Sequence, residues 1–159
     1  MGHLYHIPFM YLLSSIITIS TAAVTGGTTM YPVTVVSGYW AMKSKHRVSS
    51  YTTWFENTLK VRCPYVFFHD SSDVERTVSD IRLRGNSNLY PTHFIQRSLT
   101  TAALKFNYSE KWIHHKHVKS ALLAVVWLDK VNMMADVAVL NPYHSDWFAW
   151  IGKSDLVAR

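Results

Sequence analysis

The chain has 159 residues, 48% of them hydrophobic, which suits one domain with a substantial core and excludes extended disorder. Charged residues make up only 16%, and their formal net charge of +6 favours phosphate-bearing partners such as nucleotides, nucleic acid or anionic lipid. The single cysteine, Cys63, excludes an internal disulfide and a cysteine-based zinc framework.

Residues 1–24 form an apolar N-terminal segment. No charged residue occurs from Leu4 to Val24, and the apolar centre from Ile7 to Ile19 is followed by small residues, including Ala22 and Ala23. This layout is typical of a signal peptide, and the length also suits an uncleaved membrane anchor. Because a basic leader is missing, a cytosolic apolar tail remains the alternative. The segment predicts entry into the secretory pathway, either as a secreted protein or as a lumenal or membrane-anchored protein of the ER or Golgi.

The first predicted elements of the domain are a strand and a helix. Residues 25–30 are rich in Gly and Thr and predict a linker, so the folded domain is expected over residues 31–151. The β-branched run Val33–Ser37 predicts a buried strand that stops at Gly38. Apolar residues then recur at helical spacing from position 51 to position 62, before a proline that ends the helix.

The remaining elements continue the alternation of strands and helices. We predict, in chain order, a buried strand at 65–68, a short helix at 74–81, a short extended segment at 89–95, a long helix at 120–140 and an apolar strand at 146–151. Asp129, Lys130 and Asp136 interrupt the apolar stripe of the long helix, which argues against a membrane span.

This alternation predicts an α/β domain with a mainly parallel sheet flanked by helices. In such sheets ligands bind beyond the carboxyl ends of the strands. Three segments meet that condition: residues 37–40, residues 69–70 and the chain that follows Ile151. We therefore expect any ligand site to be assembled from these segments.

Four segments, in this order, resemble the HtrL/YibB-like family. They are VTVVSGYW (33–40), YTTWFENTLKVRCPYVFFHD (51–70), WIHHKHVKSALLAVVWLDKV (112–131) and LNPYHSDWFAWI (140–151). The fold of that family is similar to the GT-A fold of nucleotide-sugar glycosyltransferases. The resemblance implies a partial GT-A-like, Rossmann-like domain. In a complete relative it implies sugar transfer from a nucleotide donor to an acceptor of unassigned identity.

The resemblance also implies a nucleotide site. It assigns Ser37, Gly38 and Tyr39 to the lining of the nucleoside pocket, with Gly38 allowing close approach of the backbone. It assigns Asp70 to hydrogen bonds with the base or ribose. The alternative for Asp70 is a turn or helix-cap residue.

A basic cluster follows the first strand. The resemblance implies that Lys43, Lys45 and Arg47 reach the diphosphate of the nucleotide. The alternative for these three side chains is solvated surface charge.

The resemblance ends at a position that matters for catalysis. GT-A enzymes hold Mn²⁺ or Mg²⁺ through carboxylates after the corresponding strand, and the metal neutralises the leaving diphosphate. The family continues Trp-Ile-Asp-Ala-Gly, whereas Gly152 follows Trp150 and Ile151 here, and residues 152–159 form a divergent tail. We therefore expect the N-terminal portion of a transferase-like protein, with no catalytic residue, no bound metal and no acceptor half, and hence inactive.

Two other interpretations remain. His114, His115 and His117 suggest a metal site, but they cannot all face one centre on a regular helix, so a basic loop or helix start is the preferred explanation. A non-catalytic basic domain that binds nucleotides or nucleic acid is the alternative function, although the aromatic residues lie in periodic apolar stretches typical of a core. The expected partners are a nucleotide sugar, an unknown acceptor and, through residues 4–24 if uncleaved, a membrane.

Overall fold

The computed structural model describes residues 18–20, 31–42, 48–84, 90–105 and 121–152. Within these ranges the strands are β1 (Thr18–Ser20), β2 (Val33–Tyr39), β3 (Tyr65–His69), β4 (Thr92–Gln96) and β5 (Trp147–Trp150). The helices are α1 (Val48–Leu59), α2 (Ser72–Arg84), α3 (Leu99–Lys105) and α4 (Ala121–Leu140). Apart from the three residues of β1, the predicted signal peptide or anchor lies outside the described residues. The linker and residues 153–159 also lie outside them.

The strands form one sheet in the order β1-β5-β2-β3-β4. Strands β5, β2, β3 and β4 are mutually parallel, and the three residues of β1 pair antiparallel with the outer edge of β5. The prediction of an α/β fold with a mainly parallel sheet flanked by helices is therefore confirmed. The strand order, which periodicity does not reveal, places β2 at the centre of the parallel set.

Helices cover both faces of the sheet, as a parallel sheet requires. Every residue of β3 is buried, which explains the continuous apolar run PYVFF in the sequence. On one face the core contains residues of the strands together with α3 and α4: Val36, Val66, Phe68, Phe148, Leu99, Val125, Met133 and Val137. On the other face it contains residues of the strands together with α1 and α2: Val35, Tyr65, Phe67, Leu59, Val78 and Ile81.

A buried arginine, Arg82, holds the segment between α1 and β3. Its guanidinium donates hydrogen bonds to the carbonyls of Leu59 and Cys63 at 3.0 and 2.9 Å, to Val61 at 3.3 Å and to Tyr90 at 2.9 Å. The same group lies 4.3 Å from the ring centre of Tyr65. Because these carbonyls face Arg82, α1 ends at Leu59, three residues before the end that the apolar spacing predicts.

Asn141 ends α4 at the predicted break. Its backbone adopts a positive φ of 35°, its amide still donates to the Val137 carbonyl at 2.8 Å, and Pro142 follows. The Asn141 side chain accepts from the amide of Ser145 at 2.8 Å and donates to its carbonyl at 3.1 Å. The Ser145 hydroxyl lies 2.7 Å from the Thr34 hydroxyl, so this turn sets the start of β5 beside β2.

Helix α4 carries apolar side chains on its exposed side as well as on its buried side. Several of its apolar side chains are exposed, namely Trp127, Leu128, Val131, Val139 and Leu140. Across the part of the chain that the structure describes, no helix combines the length and apolarity needed for a bilayer crossing. For α4 this agrees with the expectation from its three charged residues.

We expect substitution of Arg82 by lysine to lower the free energy of unfolding by roughly 2–4 kcal/mol, because an ammonium cannot reach four spread carbonyls and buried acceptors are left unsatisfied. Urea denaturation followed by tryptophan fluorescence measures the change. Arg84→Lys is the matched control, since that side chain is exposed at the end of the same helix and should change stability by less than about 0.5 kcal/mol. Equal effects of the two substitutions would contradict the role given to Arg82.

Candidate functional site

The four parallel strands end on one edge of the sheet. The chain runs from β2 to β3 and β4 on one side, and β5 then lies on the other side of β2. The strand order therefore reverses between β2 and β5, and crevices at such reversals are where open α/β sheets bind ligands. The segments that meet at this edge are Tyr39–Trp40, His69–Asp70, Arg97–Ser98 and Ile151–Gly152.

Ser37 holds the ends of β2 and β5 together. Its hydroxyl donates to the Ile151 carbonyl at 2.9 Å, and the Ile151 amide donates to the Val36 carbonyl at 2.9 Å. The Ser37 side chain is buried, with 6% of the residue exposed. The structure thus places this predicted pocket residue at the strand reversal, where its hydroxyl is bonded to the protein itself.

Gly38 is packed beneath the indole of Trp40. A β-carbon at position 38 would lie 2.6 Å from Trp40 Cη2 and 3.1 Å from the Phe68 carbonyl oxygen. The close approach that requires glycine here is therefore made by a side chain of the same protein. The Trp40 indole N–H donates in turn to the Arg97 carbonyl at 2.9 Å, which ties the end of β2 to the end of β4.

Tyr39 and Asp70 lie at the ends of adjacent strands. Tyr39 pairs in register with His69, and Asp70 comes next along the chain. The Tyr39 ring is half-buried and packs against Phe55 of α1, with 5.3 Å between ring centres. Asp70 is exposed. The structure therefore brings these two predicted residues to the same edge and leaves the acidic residue open to solvent.

The helix cap after β3 is Ser71 and not Asp70. The Ser71 hydroxyl accepts from the amide of Asp73 at 3.2 Å, and its carbonyl accepts from the amide of Val74 at 3.1 Å. Side-chain oxygens at this position satisfy the first free amides of a helix. Because Ser71 performs this role for α2, the capping alternative does not account for Asp70.

His69 is a buried polar residue at the same edge. Its Nδ1 lies 2.9 Å from the Ser71 carbonyl oxygen, so this nitrogen carries the hydrogen, and Nε2 lies 3.6 Å from a carboxylate oxygen of Glu75. The ring also meets Phe94 edge to face, with 5.8 Å between ring centres. These contacts fix the strand end from which Asp70 projects.

An ion-pair cluster around Arg97 was not predicted from the sequence. Arg97 Nε and Nη2 donate to the two carboxylate oxygens of Asp129 at 2.6 and 3.0 Å, and Nη1 donates to Asp136 at 2.6 Å. Only 1% of the Asp129 side chain is exposed, against 57% for Asp136. Burial alone would lower the pKa of Arg97, but the hydrogen bonds and charges of the two carboxylates outweigh it and raise the pKa.

Two signals in the sequence could have revealed the cluster. Arg97 directly follows the apolar strand β4, at the edge where ligand-binding residues occur. Asp129 and Asp136 are seven residues apart on α4, which places them on one side of the helix. The sequence nevertheless contains no indication that these two elements meet.

A cavity of about 300 Å³ opens beside this cluster. It lies between the end of β4 and the helices α3 and α4, and its lining residues are Gln96, Arg97, Ser98, Thr101, Ala102 and Asp129. The lining residues therefore include an arginine, a glutamine, two residues with hydroxyl groups and the buried Asp129 that holds the arginine. Such convergence of polar groups in a concave surface marks a candidate ligand site.

Among the described residues, those that follow β5 do not fit the metal of GT-A enzymes. At the end of β5 the described chain continues through Ile151 to Gly152, neither of which carries a carboxylate. Within the described ranges no three His, Cys, Asp or Glu side chains converge on a common point. Lys43, Lys45 and Arg47, predicted at the diphosphate, and the three histidines at 114, 115 and 117 lie outside the described residues.

Comparisons with protein-family models, with curated proteins and with solved structures yield no significant match to this chain.

Replacing Gly38 by alanine should destabilise the protein by roughly 1–3 kcal/mol, because the added methyl group overlaps the Trp40 indole. Chemical denaturation of Gly38→Ala, Trp40→Leu and the double variant measures the coupling between the two positions. In the double variant the methyl group has room, so its total loss should be smaller than the sum of the single losses. Strict additivity would show that the indole is not what excludes a side chain at position 38.

Proposed function

We propose that this chain forms the donor-nucleotide portion of a glycosyltransferase-like protein and that it binds nucleotide sugars without transferring the sugar. The observation that carries the proposal is the position of Asp70. It supplies an exposed carboxylate one residue beyond β3, one strand away from the reversal between β2 and β5. In nucleotide-binding sheets of this strand order, an acidic residue after the second strand accepts hydrogen bonds from the ribose hydroxyls.

The strand order supports this assignment independently of the resemblance. With β2 as the first strand of the parallel set, β3 is the second and β4 the third, and β5 returns to the other side of β2. This is the arrangement of the first four strands of a Rossmann-type sheet. Fold alone never establishes function, so the proposal depends on the chemistry of Asp70 at that edge.

The proposed absence of transfer follows from Gly152. In the resembling family an aspartate stands after the Trp-Ile pair and binds the cation that neutralises the departing diphosphate. Glycine at this position has no oxygen ligand on a side chain. In this proposal the apolar segment 4–24 directs the protein to the secretory pathway, and no particular acceptor is assigned.

Isothermal titration with UDP-glucose and GDP-mannose tests the proposal. We expect weak binding that Mn²⁺ does not strengthen, and we expect Asp70→Asn to reduce the affinity about tenfold or more, the cost of losing charged hydrogen bonds to a hydroxyl pair. Asp80→Asn is the matched control, since Asp80 is exposed on α2 away from the sheet edge, and its affinity should stay within about twofold of the parent.

The other outcomes each contradict one part of the proposal. Binding that requires Mn²⁺ and is followed by sugar transfer would show that the protein is an active enzyme. Equal affinities for Asp70→Asn and the parent would remove Asp70 from the nucleotide site. Failure to bind either nucleotide sugar, together with salt-sensitive RNA or DNA binding, would favour a nucleic-acid-binding domain.

A further inference from the structure

The cavity beside Arg97 is built from residues that have no role in the proposed nucleotide site. Asp129 is buried and holds the Arg97 guanidinium through two parallel hydrogen bonds, so the plane of the guanidinium is fixed. Asn132 donates to the same carboxylate at 2.9 Å and fixes it in turn. The third contact of the guanidinium is with Asp136, whose carboxylate is largely exposed.

This arrangement presents a donor and an acceptor side by side. A guanidinium has five N–H groups, and three of them are directed at Asp129 and Asp136. A carboxylate accepts hydrogen bonds at several lone pairs, and 57% of the Asp136 side chain is exposed to solvent. A ligand group that both donates and accepts hydrogen bonds can therefore engage the pair without breaking it.

The local charge selects the kind of ligand. One guanidinium is surrounded by two carboxylates, so the cluster is negative overall and disfavours a phosphate or carboxylate ligand. The remaining lining residues with polar side chains, Gln96, Ser98 and Thr101, are neutral. The chemistry therefore favours a neutral ligand that carries several hydroxyl groups.

The size of the cavity agrees with a single ring. Its volume of about 300 Å³ lies at the lower end of the range of roughly 300–1,000 Å³ found for small-molecule sites. A hexose fits such a volume, whereas a whole nucleotide sugar must extend beyond it. The cavity also adjoins the proposed nucleotide edge, because the Arg97 amide donates to the His69 carbonyl at 2.7 Å, one residue before Asp70.

We propose that a sugar ring binds in this cavity, with ring hydroxyls bonded to Arg97 and Thr101 of the lining. A neighbouring hydroxyl reaches Asp136, which is not a lining residue but is hydrogen-bonded to Arg97. The ring is either the sugar of the donor nucleotide or a free saccharide, and both present the same hydroxyl chemistry. Assignment of the ring to the donor rests on the proposed function. Binding of a free saccharide does not depend on it.

The test is a nuclear magnetic resonance titration of the ¹⁵N-labelled full chain with UDP, UDP-glucose, glucose and N-acetylglucosamine. We expect the amides of Arg97, Ser98 and Thr101 to shift with UDP-glucose or with the free sugars, and to shift less with UDP. Thr101→Val, which removes one hydroxyl at nearly constant volume, should weaken binding of the sugar-bearing ligands about fivefold. Thr100→Val is the matched control, because Thr100 is exposed on the same helix but does not line the cavity, and its affinities should remain within about twofold.

Asp136→Asn separates sugar binding from anion binding, and it avoids disturbing the buried Arg97–Asp129 pair. For a sugar site this substitution weakens binding of the sugar-bearing ligands about fivefold or more, because a charged acceptor is lost. Stronger binding of inorganic phosphate to this variant, with no effect of sugars, would overturn the assignment in favour of an anion site. The sugar site would also be overturned if the amides of Arg97 and Thr101 do not shift with any sugar-bearing ligand, even at ligand concentrations up to about 100 mM.

The same titrations distinguish the sugar site from the proposed nucleotide site. UDP binding that depends on Asp70, without any contribution from the sugar, would leave the nucleotide site in place and remove the sugar site. Binding of free saccharides without binding of UDP would remove the nucleotide site and establish the cavity as a saccharide site in its own right. Sugar-dependent strengthening that Thr101→Val abolishes would support both and assign the ring to the donor.

Discussion

The arrangement of the domain depends on the position of β2 at the centre of a parallel sheet. Both edges of this strand are hydrogen-bonded, to β3 on one side and to β5 on the other, and helices cover both faces. Side chains within the strand therefore pack against the helices on either face, and polar groups there must form hydrogen bonds with other groups of the protein. Groups that can face a ligand are confined to the residues beyond the strand ends. The candidate site accordingly consists of residues after β3 and β4 and the groups that α4 brings to them.

This constraint explains the roles of two residues in the motif VTVVSGYW. The Ser37 hydroxyl is bonded to the end of β5, and the space above Gly38 is filled by Trp40. Both residues shape the edge of the sheet through packing and hydrogen bonding. Asp70 differs from them, because it follows the strand, is exposed and is relieved of the capping role by Ser71.

Two arginines at opposite edges of the sheet show how partners determine the role of a charged group. Arg82, at the amino edge, is buried against backbone carbonyls and a tyrosine ring, and this stabilises the connection into β3. Arg97, at the carboxyl edge, is held by carboxylates and lines a cavity. A charge removed from water needs such partners wherever it lies, so burial of an arginine alone does not indicate a ligand site. The cavity and the exposed carboxylate of Asp136 distinguish Arg97.

The amino-acid sequence by itself determined the kind and order of the main elements and which predicted residues lie at the strand ends. Buried strands are continuous apolar runs, and Asn141–Pro142 interrupts the backbone hydrogen bonding at the end of α4, so these signals are local. The tertiary structure alone decided the strand order, the end of α1 at Leu59 and the pairing of Arg97 with Asp129, 32 residues away. Each of these results from contacts between segments distant along the chain, and local periodicity carries no information about which distant surfaces meet.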